Sequence, residues 1–109
     1  MDEYKVKITP QASEQMSEIF SYISGTLKEA VAAERLLQEL QKSILSLNTM
    51  PKRVLLTDEE PWRSYGIRKM LVKNFLVYFW VNEKLKEVHI TAVVYGRRAQ
   101  SEQLEQMDI

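Results

Sequence analysis

Apolar and polar residues alternate from the start of the chain. Tyr4, Val6 and Ile8 are separated by Lys5 and Lys7, the period of a short half-buried strand. Thr9-Pro10 follows: a threonine that can cap, and a proline whose fixed φ suits the first helical position. Ala12, Met16, Ile19, Phe20 and Ile23 then recur at helical spacing and predict an amphipathic helix that Gly25 ends. Thr26 and Glu29 have the spacing of a capping box. Ala30, Ala33, Leu37, Leu40, Ile44 and Leu47 continue a three-four pattern for about five turns, and Asn48 through Pro51 closes this second helix. Helices joined so closely form an antiparallel hairpin.

The second half reads as strands. Residues 52–64 form a connection with a short extended piece at Val54–Leu56. A strand is predicted over Tyr65–Val72, with Gly66 marking a bulge or a close backbone approach. Lys73-Asn74 supplies a two-residue hairpin turn. Phe75–Val81 is apolar at every position, which predicts a central strand covered on both faces. The last strand, Glu87–Tyr95, has one face more polar than the other. Gly96 breaks it, and Ser101–Met107 predicts a short terminal helix. The result is an α+β architecture: an N-terminal strand, then a helical hairpin covering one face of an antiparallel β-meander. Whether the first strand lies beside the one that follows the helices is left open. At 109 residues the chain is expected to be a single domain, 1–109.

Composition narrows the chemistry. With no cysteine, disulfides and thiolate reactions are excluded, and a reducing cytoplasm fits. No apolar run approaches the roughly 20 residues of a membrane span, and Met1–Lys7 is too charged for a signal peptide. A single histidine and no clustered carboxylates at ligand spacing argue against a metal; no cofactor is expected. Fifteen basic and fifteen acidic residues cancel, but unevenly: −2 over residues 1–50, +5 over 51–98 and −3 over 99–109. The middle segment is therefore the basic footprint for an anionic partner.

Within that segment Arg68, Lys69, Lys73, Arg97 and Arg98 are the candidate cations, and Gly66 could aim Tyr65 or Arg68 into a groove. Arg68 and Arg98 are expected at the rim of the sheet opposite the helices. His89 lies mid-strand and reads as structural. Asp58-Glu59-Glu60 reads as a solvated turn, and Trp80 as core. Trp62 packs on the sheet edge or stacks on a partner.

Taken in order, YKVKITPQA, EQMSEIFSYI, SLNTMPKR, GIRKMLVKNFLVYFWV and VHITAVVYGRR resemble the RelE/ParE toxins over nearly the whole chain. The resemblance implies a twisted antiparallel sheet with the helical hairpin on one side. It implies a cytoplasmic toxin of a bacterial type II toxin–antitoxin (plasmid stabilisation) system, neutralised by a small antitoxin. One branch of the family poisons DNA gyrase; the other cleaves mRNA on the ribosome without metal. Such cleavage needs a base, an acid and cations for the developing phosphorane charge. On that branch the resemblance implies Arg68 and Arg98 as catalytic, with Tyr95 substituting as proton donor. Tyr65, Lys69 and Arg97 would contact anionic groups or a partner. Two departures favour the gyrase branch. The tail QSEQLEQMDI holds neither Tyr nor His, and Phe75-Leu76 stands where nuclease members often carry Tyr-Arg. A non-toxic member that only binds its antitoxin is a third reading.

Overall fold

Thr9 turns the chain from strand to helix. Its backbone is extended, its Oγ1 accepts the Ala12 N–H at 3.2 Å, and Pro10 occupies the first helical turn. The computed structural model describes residues 3–26, 28 and 30–96. Strand β1 (Lys5–Ile8) leads into α1 (Pro10–Ser21), which continues through Gly25 as one π-helical turn, Tyr22–Thr26. Helix α2 (Ala30–Leu45) follows, then two short 3₁₀ turns, Ser46–Asn48 and Pro51–Arg53. Strands β2 (Arg68–Val72), β3 (Phe75–Asn82) and β4 (Glu87–Tyr95) complete the described chain. The expected capping pair, the Thr26 side chain with Glu29, and the expected helix at Ser101–Met107 lie outside the described residues.

The sheet has the order β1-β4-β3-β2. The meander β2-β3-β4 is antiparallel, as the pattern predicts, but β1 joins it parallel to β4, with Val6 opposite Val88 and Ile8 opposite Ile90. The sheet is therefore mixed, and the N-terminal strand lies beside the last strand, not beside the one that follows the helices. That placement follows from the helices: they carry the chain across one face of the sheet before β2 begins.

Alternation along β3 sorts the core into two faces. Phe75, Val77 and Phe79 point to the helices and pack with Ala12, Met16, Leu40 and Ile44. Tyr78 points the other way, with Ile67, Ala92 and Val94. Among the described residues no helix lies on this second face; Trp62 and Ile67, from the connection after α2, pack there. The connection is held at the sheet edge by backbone bonds, Thr57 N to Ile67 O at 2.9 Å and Lys69 N to Leu55 O at 3.2 Å. The predicted extended piece Val54–Leu56 is real, and its partner is β2, through a bridge between Leu56 and Arg68.

The strand predicted over Tyr65–Val72 is shorter than expected. Residues up to Gly66 form a turn, closed by Gly66 at φ +86° and by Ile67 N donating to Trp62 O at 3.0 Å. Gly66 thus supplies a left-handed turn residue and not a strand bulge. The bulge in the sheet lies between β3 and β4, at Tyr78/Phe79, where the Thr91 hydroxyl donates to Tyr78 O at 3.2 Å.

Candidate functional site

The cations proposed from sequence are divided by the strand period. Arg68 stands opposite Phe79 and Lys69 opposite Tyr78, so their side chains leave β2 on opposite faces. Arg68 is on the helix side, not on the opposite rim where it was expected. Its Nη1 donates to Val54 O at 2.6 Å and to Lys52 O at 3.4 Å, tying the 3₁₀ turn before the connection to the sheet edge. Tyr95 is also on the helix side. Its ring is tilted against Phe75, with centroids 5.3 Å apart. Arg68 and Tyr95 therefore sit opposite β3 residues four apart, or about 13 Å along the strand. Tyr65 is in the turn and is exposed. Arg97 and Arg98 lie outside the described residues.

Lys69 finds a partner that the sequence reading missed. Its Nζ is 3.3 Å from Glu59 Oε1, with both side chains about one quarter exposed. Glu59 also accepts hydrogen bonds from the Thr57 hydroxyl and, at 3.4 Å, from the hydroxyl of fully buried Tyr78. Burial pushes this carboxyl up. The Thr57 hydroxyl, its own backbone N–H and the Lys69 ammonium more than offset that, and hold it below the ordinary carboxylate value. The run Asp58-Glu59-Glu60 is thus not a uniformly solvated turn. Asp58 faces water, Glu60 accepts from the Ser64 N–H and hydroxyl, and Glu59 turns inward onto the sheet. Nothing in three adjacent acids distinguishes the middle one. The signal is Thr57, which is fully buried and fixes the direction of the loop. A carboxylate held down and shared among several donors is a weak base; the arrangement anchors the loop that carries Trp62.

His89 has a structural setting, as its mid-strand position suggests. Its ring stacks on Trp80, with centroids 4.5 Å apart and planes 9° from parallel. Its Nε2 lies 3.0 Å from Glu87 Oε1, and Glu87 also pairs with Lys7 at 2.8 Å. The Lys7 ammonium, against a smaller opposing effect of burial, draws the Glu87 carboxyl below its usual value. This chain of contacts fastens β1 to β4. Trp80 is partly buried and packs against the core on the sheet face away from α1 and α2.

A concavity lies elsewhere, between α1 and the end of β4. It encloses about 400 Å³ and is lined by Gln15, Glu18, Ile19 and Tyr22 on one wall and Val93 to Gly96 on the other. Gln15 is buried, and its Oε1 accepts the Val93 N–H at 2.8 Å. Among the described residues no group of three or more His, Asp or Glu side chains could hold a metal ion. No described helix is long and apolar enough to cross a membrane.

This arrangement of helices and strands is that of known toxins. The chain is similar to a solved chain of the chromosomal ParDE toxin–antitoxin system of P. aeruginosa (TM-score 0.72, 18% identity, covering 89% of this chain and 100% of that one). It is similar to a chain of the RelBE2 toxin–antitoxin complex of Mycobacterium tuberculosis (TM-score 0.65, 16% identity, 85% and 98% covered). A mutant of E. coli toxin RelE in the free state shares the fold as well (TM-score 0.61, 14% identity, 95% and 97% covered). No curated protein matches in sequence. The family described as "ParE toxin of type II toxin-antitoxin system, parDE" matches residues 6–100. The chain belongs to that family and is the toxin of a type II toxin–antitoxin system.

Proposed function

We propose that this toxin acts in the cytoplasm by binding and inhibiting DNA gyrase, and that a cognate antitoxin neutralises it. The observation that carries the reading is the engagement of Arg68. Its guanidinium holds the Lys52 and Val54 carbonyls, on the helix side and about four strand residues from Tyr95. Metal-free RNA cleavage needs an acid, a base and a cation converging on one phosphate, and Arg68 and Tyr95 do not converge. The match to the ParE family supports the same branch. Arg97 and Arg98, which follow Gly96 in the sequence, are proposed as the cations that meet the target, with Lys69 and Tyr65 as further contacts.

Purified toxin added to gyrase, relaxed plasmid and ATP is expected to inhibit supercoiling at micromolar concentration. Undiminished supercoiling, together with new mRNA ends in primer extension on translating ribosomes, would replace this reading with that of an mRNA interferase. Normal growth on induced expression would point instead to a member that only binds its antitoxin.

A further inference from the structure

We propose that Met50 is an apolar knob by which the toxin docks onto gyrase, entering a pocket of the target rimmed by acidic side chains. This inference rests on the reading of gyrase as the target and assigns a surface to that contact.

The first observation is the backbone around Met50. The residue sits between the two 3₁₀ turns in the left-handed region, at φ 47° and ψ 51°. Glycine or asparagine adopts that conformation with less strain. Of the four non-glycine residues at positive φ among the described residues, three are lysines and Met50 alone is apolar. It nevertheless stands in water, 69% exposed, while the neighbouring Pro51 is buried. The loop is braced. Arg53 Nη1 donates to Thr49 O at 2.7 Å and to Met50 O at 3.0 Å, and its Nη2 donates to Ser46 Oγ at 3.1 Å. Folding does not explain a methionine here, since the Met50 carbonyl that Arg53 holds is one any residue carries. A braced loop that holds out a long, polarisable side chain is ordered before a partner arrives, the property of an interface anchor.

The second observation is its company. Lys52 pairs with Glu83 at 2.8 Å, the Tyr4 hydroxyl donates to Glu83 at 2.9 Å, and Lys5 N donates to Lys86 O at 2.9 Å. These contacts gather residues 3–5, 50–53 and 83–86 at one end of the sheet. Together the three segments hold five Lys or Arg and two Glu. Leu85, in the β3–β4 turn, is 64% exposed. The face thus presents two apolar side chains among an excess of cations.

That composition selects among partners. A second copy of the toxin opposes cations to cations. The phosphate backbone of a nucleic acid accepts the lysines but offers Met50 and Leu85 nothing apolar to enter. An apolar pocket with an acidic rim, on a protein, satisfies both. The face lies at the start of β4, whose nine residues put Gly96 about 30 Å away. The knob is therefore a contact in addition to the one proposed for Arg97 and Arg98, which follow Gly96 in the sequence.

The test titrates full-length toxin into purified gyrase holoenzyme, read by calorimetry and by supercoiling of relaxed plasmid. Met50→Gly removes the side chain and suits the left-handed backbone, so it is expected to melt near the wild-type temperature. It should weaken gyrase binding about tenfold or more and raise the inhibitory concentration alike. Lys84→Glu, at an exposed position, should also weaken binding, and the wild-type affinity should fall with added salt more steeply than that of Lys84→Glu. If the wild type binds gyrase and both variants bind and inhibit like it, this surface is the wrong one, while the gyrase reading stands. If only Lys84→Glu loses affinity, and the toxin binds plasmid DNA without gyrase, the contact is with phosphates and the knob is refuted. If the wild type elutes as a dimer and Met50→Gly as a monomer, a second copy takes the knob, which also overturns the proposal. If the wild type neither binds nor inhibits gyrase, the gyrase reading fails, and this inference with it.

Discussion

Glu83 gathers three donors at the surface. Lys52 and Lys86 approach it at 2.8 and 3.1 Å, and the Tyr4 hydroxyl donates to it at 2.9 Å. Hydrogen bonds from Lys52, Lys86 and Tyr4 lower its carboxyl from 4.5 to about 2. A carboxyl depressed on folding stabilises the fold above its unfolded value and loses that contribution as pH falls through the folded one. The window here runs from about pH 4.5 down to about pH 2. In urea titrations Glu83→Gln should therefore lower the midpoint at pH 7, and the gap to wild type should close toward pH 2. Glu59, also depressed, behaves in the same direction. A second residue-scale prediction concerns Lys73, which sits at φ +54° in the β2–β3 turn. Asparagine and glycine adopt that conformation with less strain. Lys73→Asn is expected to raise stability by about 0.5 kcal/mol, read as an upward shift of the thermal midpoint.

Two elements depend on side chains acting across long sequence separations. Where no described strand flanks β4, the Val93 N–H is met by Gln15, 78 residues away. Replacing it with alanine leaves the Val93 N–H without its partner. This should cost about 1–3 kcal/mol, measurable by chemical denaturation. On the sheet face away from α1 and α2, Trp62 and Ile67 pack against the core. Trp62→Ala should cost about 2–3 kcal/mol and increase proteolysis within residues 57–67. These elements also mark where sequence reading stops. The helices, β3 and β4 were legible because their apolar periods are long and unbroken, as in FLVYFWV at 75–81. The start of β2 was not. Tyr65 and Gly66 look like the beginning of a strand, but their backbone is set by turn bonds to Pro61, Trp62 and Arg63 that leave no periodic trace. Gln15 and Glu59 were missed for a related reason: each is one polar residue among others like it, and only a distant segment turns it inward.

At the scale of the whole molecule, the fold was legible and the site was legible only in part. A strand assigned from its pattern alone does not reveal which face each residue takes until its register is known. Arg68 and Lys69 are adjacent in sequence yet serve opposite faces. Arg68→Ala should lower stability by about 1–2 kcal/mol through the lost carbonyl contacts. It should leave the proposed inhibition of gyrase unchanged per folded molecule, as supercoiling assays at matched folded concentration would show. If inhibition disappears while the fold is intact, Arg68 has a direct role in toxicity after all.

The parallel pairing of β1 with β4 has a consequence for how the toxin comes into being. β4 lies between β1 and β3, so every other strand on its two sides waits for it. A polypeptide interrupted before residue 87 has nothing to join its first strand to the rest, and its helices have only half a surface to rest on. Incomplete or clipped copies should therefore be inert, and the poison exists only once the final strand has been threaded between its neighbours.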